Sequence, residues 1–150
     1  MNTLMGRQEK CRIVKAPPQN FNFQAVDKLI STEDVVNIRF DEFEALRLSD
    51  KLDYDHIAAS KIMGISRPTF TRLLNKARQK MATFLIDGRP LQISGGAILF
   101  SQNVYCCRNC RRPFVWEQED DPTCPSCRES NSIKADAACR GNCRCCDENQ

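Results

Sequence analysis

The residues best suited to chemistry are cysteines, and nine of the ten lie in the last 45 positions of this 150-residue chain. Two C-x2-C pairs, Cys107/Cys110 and Cys124/Cys127, stand thirteen residues apart. That is zinc-ribbon spacing: each pair turns back as a knuckle, and two knuckles close one tetrahedral thiolate site. One structural zinc is expected, with no open catalytic position. Arg111 and Arg128 follow the pairs where such knuckles often carry glycine, and Cys106 competes with Cys107 as a C-x3-C partner of Cys110. Phe114, Val115 and Trp116 are most of the apolar mass between the pairs, so metal must drive the folding of this part. The stretch "CRGNCRCC" adds Cys139, Cys143, Cys145 and Cys146. A second metal, an iron–sulfur or redox sensor and an idle tail all remain open for it. Cys11 reads as a small buried hydrophobe.

The second candidate is a run of cations. Between Asp55 and Asp87 there is no carboxylate, yet Lys61, Arg67, Arg72, Lys76, Arg78 and Lys80 fall there. Whole-chain charge is only +3, so this local segregation is what points to a polyanion. "GISRPTFTRLL" (64–74) supplies a turn glycine, a capping serine and a helix start. Ser66 opens a helix expected to reach Ile86. Phe70, Leu73, Leu74, Ala77 and Met81 share one face of it at helical period. Pro68, Arg72, Asn75 and Gln79 lie opposite, with Thr71 and Lys76 at the margins. Arg matches guanine edges, and Asn or Gln matches adenine. Lys76, Arg78 and Lys80 suit phosphates better, and the helix start at Ser66 and Arg67 also favours one.

These side chains need elements to hold them. "CRIV" (11–14) and "VVNIRF" (35–40) alternate as short strands that could pair. In "DEFEALRLSD", Asp41 and Glu44 form a capping-box pattern ahead of a helix of about ten residues. Asp55 caps a second helix ending at Ile62, and "MGIS" is a turn with Met63 and Ile65 packing inward. Ala59 and Ser60 are small where the next helix must approach. Helix, glycine-containing turn and polar-capped helix make the helix-turn-helix pattern. "DGRPLQISGG" is a turn and a strand, with Gly95-Gly96 closing the domain. The expected fold is a mainly α helix-turn-helix domain with short β-strands over residues 1–100. A zinc-ribbon-like β module with a cysteine-rich tail follows over 101–150.

"KCRIV", "DEFEALRLSD", "MGISRPTFTRLLNKARQKMA" and "DGRPLQISGG" resemble the domain-of-unknown-function 134 family of predicted prokaryotic DNA-binding proteins, over about residues 7–96. That family's helix-turn-helix is similar to the promoter-reading one of bacterial sigma factors. The resemblance implies base contacts from Pro68, Thr71 and Arg72, then Asn75 and Lys76. "HIAAS" (56–60) departs from the family's usual Q-E-E-A-A opening. With Arg67, Thr69 and Arg78 added, these residues are the candidate contacts to double-stranded DNA, in a transcriptional regulator. A homodimer over half-sites and a protein partner on the ribbon are the other partners considered. "GRQEKCRIVK" (6–15) is either an arm contact or a plain strand.

Other classes fit less well. His56 is the single histidine and has no triad partner in sequence, no H-E-x-x-H or phosphate-cradling loop occurs, and "SGG" is too short to be one. No enzyme is expected. "EQEDD" (117–121) reads as a solvated loop. "MNTLMGRQEK" lacks a signal peptide's apolar run and no stretch is long enough for a membrane span, so the expected location is cytoplasmic. Two rivals remain: a protein-docking scaffold, and an iron–sulfur electron carrier. RNA binding is disfavoured because the outward helix face has no aromatic rings.

Overall fold

Alternation, caps and one long apolar stripe account for most of the elements in the structure, a computed structural model that describes residues 10–24 and 34–134. In chain order they are β1 (Arg12–Val14), β2 (Asn22–Phe23), β3 (Val36–Ile38), α1 (Phe40–Leu46, continued by a wide π turn Arg47–Lys51), α2 (His56–Ile62), α3 (Arg67–Asp87), β4 (Leu91–Ile93), β5 (Ile98–Phe100), β6 (Val104–Cys107), β7 (Pro113–Val115) and β8 (Ser132–Lys134). The described residues up to Phe100 are thus mixed α/β, with three helices and two small sheets where a mainly α domain was expected.

The strands pair differently from the sequence expectation. β1 runs parallel to β5, Arg12 opposite Ile98, and does not pair with β3. β3 lies parallel to β4, which also takes β2 on its other edge. Parallel pairs need long crossovers, and the three helices supply them here. Val36, Ile38, Leu91 and Ile93 face inward, while Asn37 and Gln92 face out. β1 also touches the turn between α2 and α3: the Ile13 N–H donates to the Met63 carbonyl at 3.0 Å. Gly64 sits there at φ +66°, and a Cβ on it would stand 3.3 Å from Ile13 Cδ1. Turn conformation and close approach both call for glycine.

α1 starts two residues earlier than the Asp41 cap implies. Arg39 is the extended N-cap residue, and Glu42 Oε2 accepts its N–H at 2.9 Å. Phe40 is buried and pulls the helix start inward, and Glu44, freed from capping, holds Arg47 at 2.7 and 2.8 Å. The predicted caps of α2 and α3 are present. Asp55 Oδ1 accepts from Ile57 and Ala58 at 2.8 Å, and Ser66 Oγ accepts from Thr69 at 3.3 Å. α3 ends at Gly88, in the left-handed conformation.

Phe70, Leu73, Leu74 and Ala77 are buried, and the first three pack with Ala45, Leu48, Ala59 and Met63 in one cluster. Ser60 is buried beside them. Met81 packs with Phe84 against a second cluster of Val14, Ile38, Phe40, Leu91, Ile93 and Ile98. A helix of 21 residues spans about 31 Å, enough for α3 to serve both clusters. Beyond Phe100 a separate antiparallel sheet, in the order β7-β6-β8, carries the cysteine pairs. Its Arg112 guanidinium stacks 5.9 Å from the Phe21 ring centre, within cation–π range. Among the described residues no helix is long and apolar enough to cross a membrane.

Candidate metal centre and nucleic-acid face

Cys107 ends β6, and the chain turns at once into the first knuckle. The Cys107 carbonyl accepts the Arg111 N–H at 2.9 Å, and the Cys107 N–H donates to the Arg112 carbonyl at 3.1 Å. The second knuckle repeats this pattern: Cys124 accepts from Arg128 at 2.8 Å and donates to Glu129 at 2.9 Å. Both turns need a left-handed residue after the second cysteine, and Arg111 (φ +57°) and Arg128 (φ +61°) adopt it. The knuckle geometry is therefore kept without glycine, at about 1–2 kcal/mol of local strain apiece.

The two turns bring the Sγ atoms of Cys107, Cys110, Cys124 and Cys127 within 4.8 Å of one another. Cys107–Cys127 and Cys110–Cys124 are 3.5 Å apart, and none of the six described cysteines is in a disulfide. Four thiolates around one zinc at about 2.3 Å stand roughly 3.8 Å apart, so these residues fit a single ion. They are also too close together to enclose the sulfides of a cluster. Cys106 is buried but lies outside the group, since strand alternation turns it away from its neighbour. Burial raises the Cys110 thiol to about 12, whereas the Glu129 N–H lowers Cys127 to about 6. Cys11 is half-buried and not fully enclosed. Cys139, Cys143, Cys145 and Cys146 lie outside the described residues.

The cations of α2 and α3 divide into two sets. Arg78 reaches Asp50 at 2.6 Å, and Lys80 reaches the buried Glu42 at 2.5 Å. Lys61, Arg67, Arg72 and Lys76 are exposed and form no ion pair with described residues. Pro68 and Asn75 are exposed beside them. Thr69 Oγ1 bonds Ser66 Oγ at 2.8 Å. Thr71 is half-buried, and its hydroxyl meets His56 Nδ1 at 2.9 Å. That contact, with the His56 ring edge-on to Phe70 at 5.4 Å, ties α2 to α3 and accounts for the histidine structurally.

Two further residues join this face: Arg12, inside the 6–15 stretch weighed above as an arm contact or a strand, and Arg39, which the sequence reading missed. Arg12 on β1 and Arg39 before α1 line one cleft with Thr69, Arg72, Leu73 and Lys76 of α3. Both arginines lean on the fully buried Asp41, Arg12 Nη1 at 3.0 Å and Arg39 Nε at 3.2 Å. Burial raises the Asp41 carboxyl, opposed by Arg39 and then Arg12. The spacing Arg39-x-Asp41 was the available signal, but Arg12 comes from 27 residues upstream and is placed only by the β1–β5 pairing.

The model of the family described as "Protein of unknown function DUF134" matches residues 1–100. The chain belongs to the DUF134 family. DUF134 relatives named "UPF0251 protein" include one from Methanothermobacter thermautotrophicus, 36% identical over 129 residues. That match covers 85% of this chain and 66% of the relative. The Chloroherpeton thalassium protein is 36% identical and covers 85% of each chain. The Caldicellulosiruptor bescii protein is 32% identical over 139 residues, with 93% of this chain and 95% of its own covered. A match over 85% of this chain cannot stop at residue 100, so similarity to these DUF134 relatives extends into the cysteine-bearing part. No solved structure matches the chain.

Proposed function

We propose that this DUF134 protein is a sequence-specific binder of double-stranded DNA, acting in transcription regulation, with α2 and α3 as its helix-turn-helix. The observation that carries the reading is the division of cations. Arg67, Arg72 and Lys76 stay exposed and free of ion pairs with described residues along one stretch of α3, while Arg78 and Lys80 are taken by Asp50 and Glu42. Supporting it, α2 and α3 are joined by Met63–Ser66 and clamped by Phe70, His56 and Thr71.

In this reading α3 enters the major groove by its N-terminal half. Arg72 and Asn75 read base edges, Pro68 packs against them, and Arg67, Lys61 and Lys76 hold phosphates. Thr71 has its hydroxyl committed to His56, so it orients the helix. The four cysteines hold one zinc that fixes the β6–β8 sheet beside Phe21, and the ribbon surface is left for a second contact. The protein acts by binding, with no enzymatic step.

The test is fluorescence anisotropy of a mixed-sequence labelled duplex with the zinc-loaded full chain. Affinity should fall between 50 and 200 mM salt, by about 40-fold for three phosphate contacts at a slope of about 0.9 each. Arg72→Ala and Lys76→Ala should weaken it, while Arg78→Ala changes it little. Salt-independent binding, or equal affinity in all three variants, contradicts the reading.

A further inference from the structure

The last two turns of α3 leave large apolar side chains in the open. Leu85 is 71% exposed and Ile86 81% exposed, whereas Phe70, Leu73, Leu74 and Ala77 upstream are buried. With the exposed Ala82 they stand at i, i+3 and i+4, so the three share one side of the helix. Ala82 and Leu85 also line a groove of about 820 Å³. The rest of its apolar lining includes Phe23, Phe43, Leu46, Met81 and Phe84, drawn from β2, α1 and α3. An apolar patch of this kind marks a contact surface.

The charges around the groove nearly cancel. Arg47 holds Glu44 at 2.7 Å, and Arg78 holds Asp50 at 2.6 Å. Of the charged residues lining it, Lys51 alone forms no ion pair with described residues. One net positive charge beside so much apolar surface suits neither DNA nor a strongly charged peptide. It does suit an identical face, because two copies bring little like charge together. A small apolar molecule would fill a groove of this volume, since such sites run to about 300–1,000 Å³, but Ile86 stands outside the lining and would stay in water. A second copy covers both.

We propose that this groove and the Leu85–Ile86 ridge are the face on which a second copy of the chain docks about a twofold axis, each copy's ridge covering the other's groove. Position along α3 supports it. Arg72 lies ten residues before Ala82 and thirteen before Leu85. At about 1.5 Å per residue, a twofold beside Ala82 or Leu85 sets the two Arg72 positions about 30–39 Å apart along antiparallel α3 helices. Half-sites one helical turn apart need about 34–36 Å. Arg67, Arg72 and Lys76 do not line the groove and stay free for DNA. The spacing argument rests on the DNA-binding reading; the exposed apolar face does not.

Sedimentation velocity on the zinc-loaded full chain, without DNA, reads the interface. Wild type should pass from monomer to dimer across the micromolar range. Leu85→Glu and Ile86→Glu should each weaken self-association by about 30-fold or more, the loss of a hot-spot residue. Their helix signal should match wild type, because both side chains are exposed in the single chain. From a random DNA pool, wild type should enrich paired half-sites and Leu85→Glu a single one. A wild type that stays monomeric, with or without duplex, overturns the interface and leaves DNA binding by a lone helix-turn-helix in place. A dimer that both variants leave intact overturns it too. So does a monomer that releases a small apolar molecule on denaturation, or one that Leu85→Glu unfolds as a core substitution would. A dimer lost in both variants, from a protein that enriches no motif, upholds the interface and fails the DNA reading.

Discussion

Lys80 sits in the acid-free part of the sequence, yet it works as a structural residue, and its removal gives a sharp expectation. Its Nζ lies 2.5 Å from Glu42 Oε2, with the Glu42 side chain 1% exposed and that of Lys80 25% exposed. Glu42 also accepts the Arg39 N–H that starts α1. Lys80→Met keeps the stem and removes the charge, leaving a buried carboxylate with one backbone donor. Breaking a buried pair costs about 3–5 kcal/mol, and partial solvent access at Lys80 brings this down to about 2–3 kcal/mol. At about 4–8 °C per kcal/mol for a domain of this size, Tm drops by roughly 10–20 °C. Thermal melts followed by the helix signal measure it. Lys80→Met, Glu42→Gln and the double variant complete a cycle, whose coupling energy should be about 1–3 kcal/mol. A Lys80→Met melt within about 0.5 kcal/mol of wild type refutes the pairing and returns Lys80 to the phosphate-binding set.

Other expectations concern the knuckles and caps. Arg111→Gly and Arg128→Gly relieve left-handed strain, and each should raise the stability of the β6–β8 sheet by about 0.5–1 kcal/mol, read by hydrogen exchange. A chelator should remove protection from residues 104–134 while the α1–α3 amides keep theirs, because metal binding supplies the folding energy of so small a sheet. Loss of protection in both parts together contradicts that division. Asp55 is held below its ordinary 3.8, first by the Ala58 N–H and then by that of Ile57. Its contribution to α2 is therefore present above the unfolded carboxylate value and disappears as pH falls through the lower folded one. Asp55→Ala should flatten the acid limb of a Tm–pH profile, and an unchanged limb sinks the assignment.

Legibility in the sequence followed range. Ser66, Asp55 and the Phe70-to-Ala77 stripe act over one or two helical turns, and the α2 and α3 starts fell where those residues put them. The C-x2-C spacing was equally local and brought Cys107 and not Cys106 into the group. Pairing was another matter. "CRIV" and "VVNIRF" are similar short alternating runs, and nothing in either says that β1 must cross three helices to reach Ile98. The Asp41 capping box failed because a tertiary demand, burial of Phe40, outranked a local one. The cation run misled in the same way: counting along the chain cannot see Asp50 and Glu42 folding back onto Arg78 and Lys80. The cleft was hidden for the same reason, since Arg12 and Arg39 meet only through a carboxylate buried between them.

The most direct test of the central claim is selection of bound duplexes from a random DNA pool, with zinc-loaded wild type and Arg72→Ala at two salt concentrations. The account predicts an enriched motif for wild type, weakened or lost at the position that Arg72 reads, with recovery falling steeply as salt rises. A folded, metal-replete protein that enriches no motif contradicts it and moves the function of this chain to the ribbon and its partners.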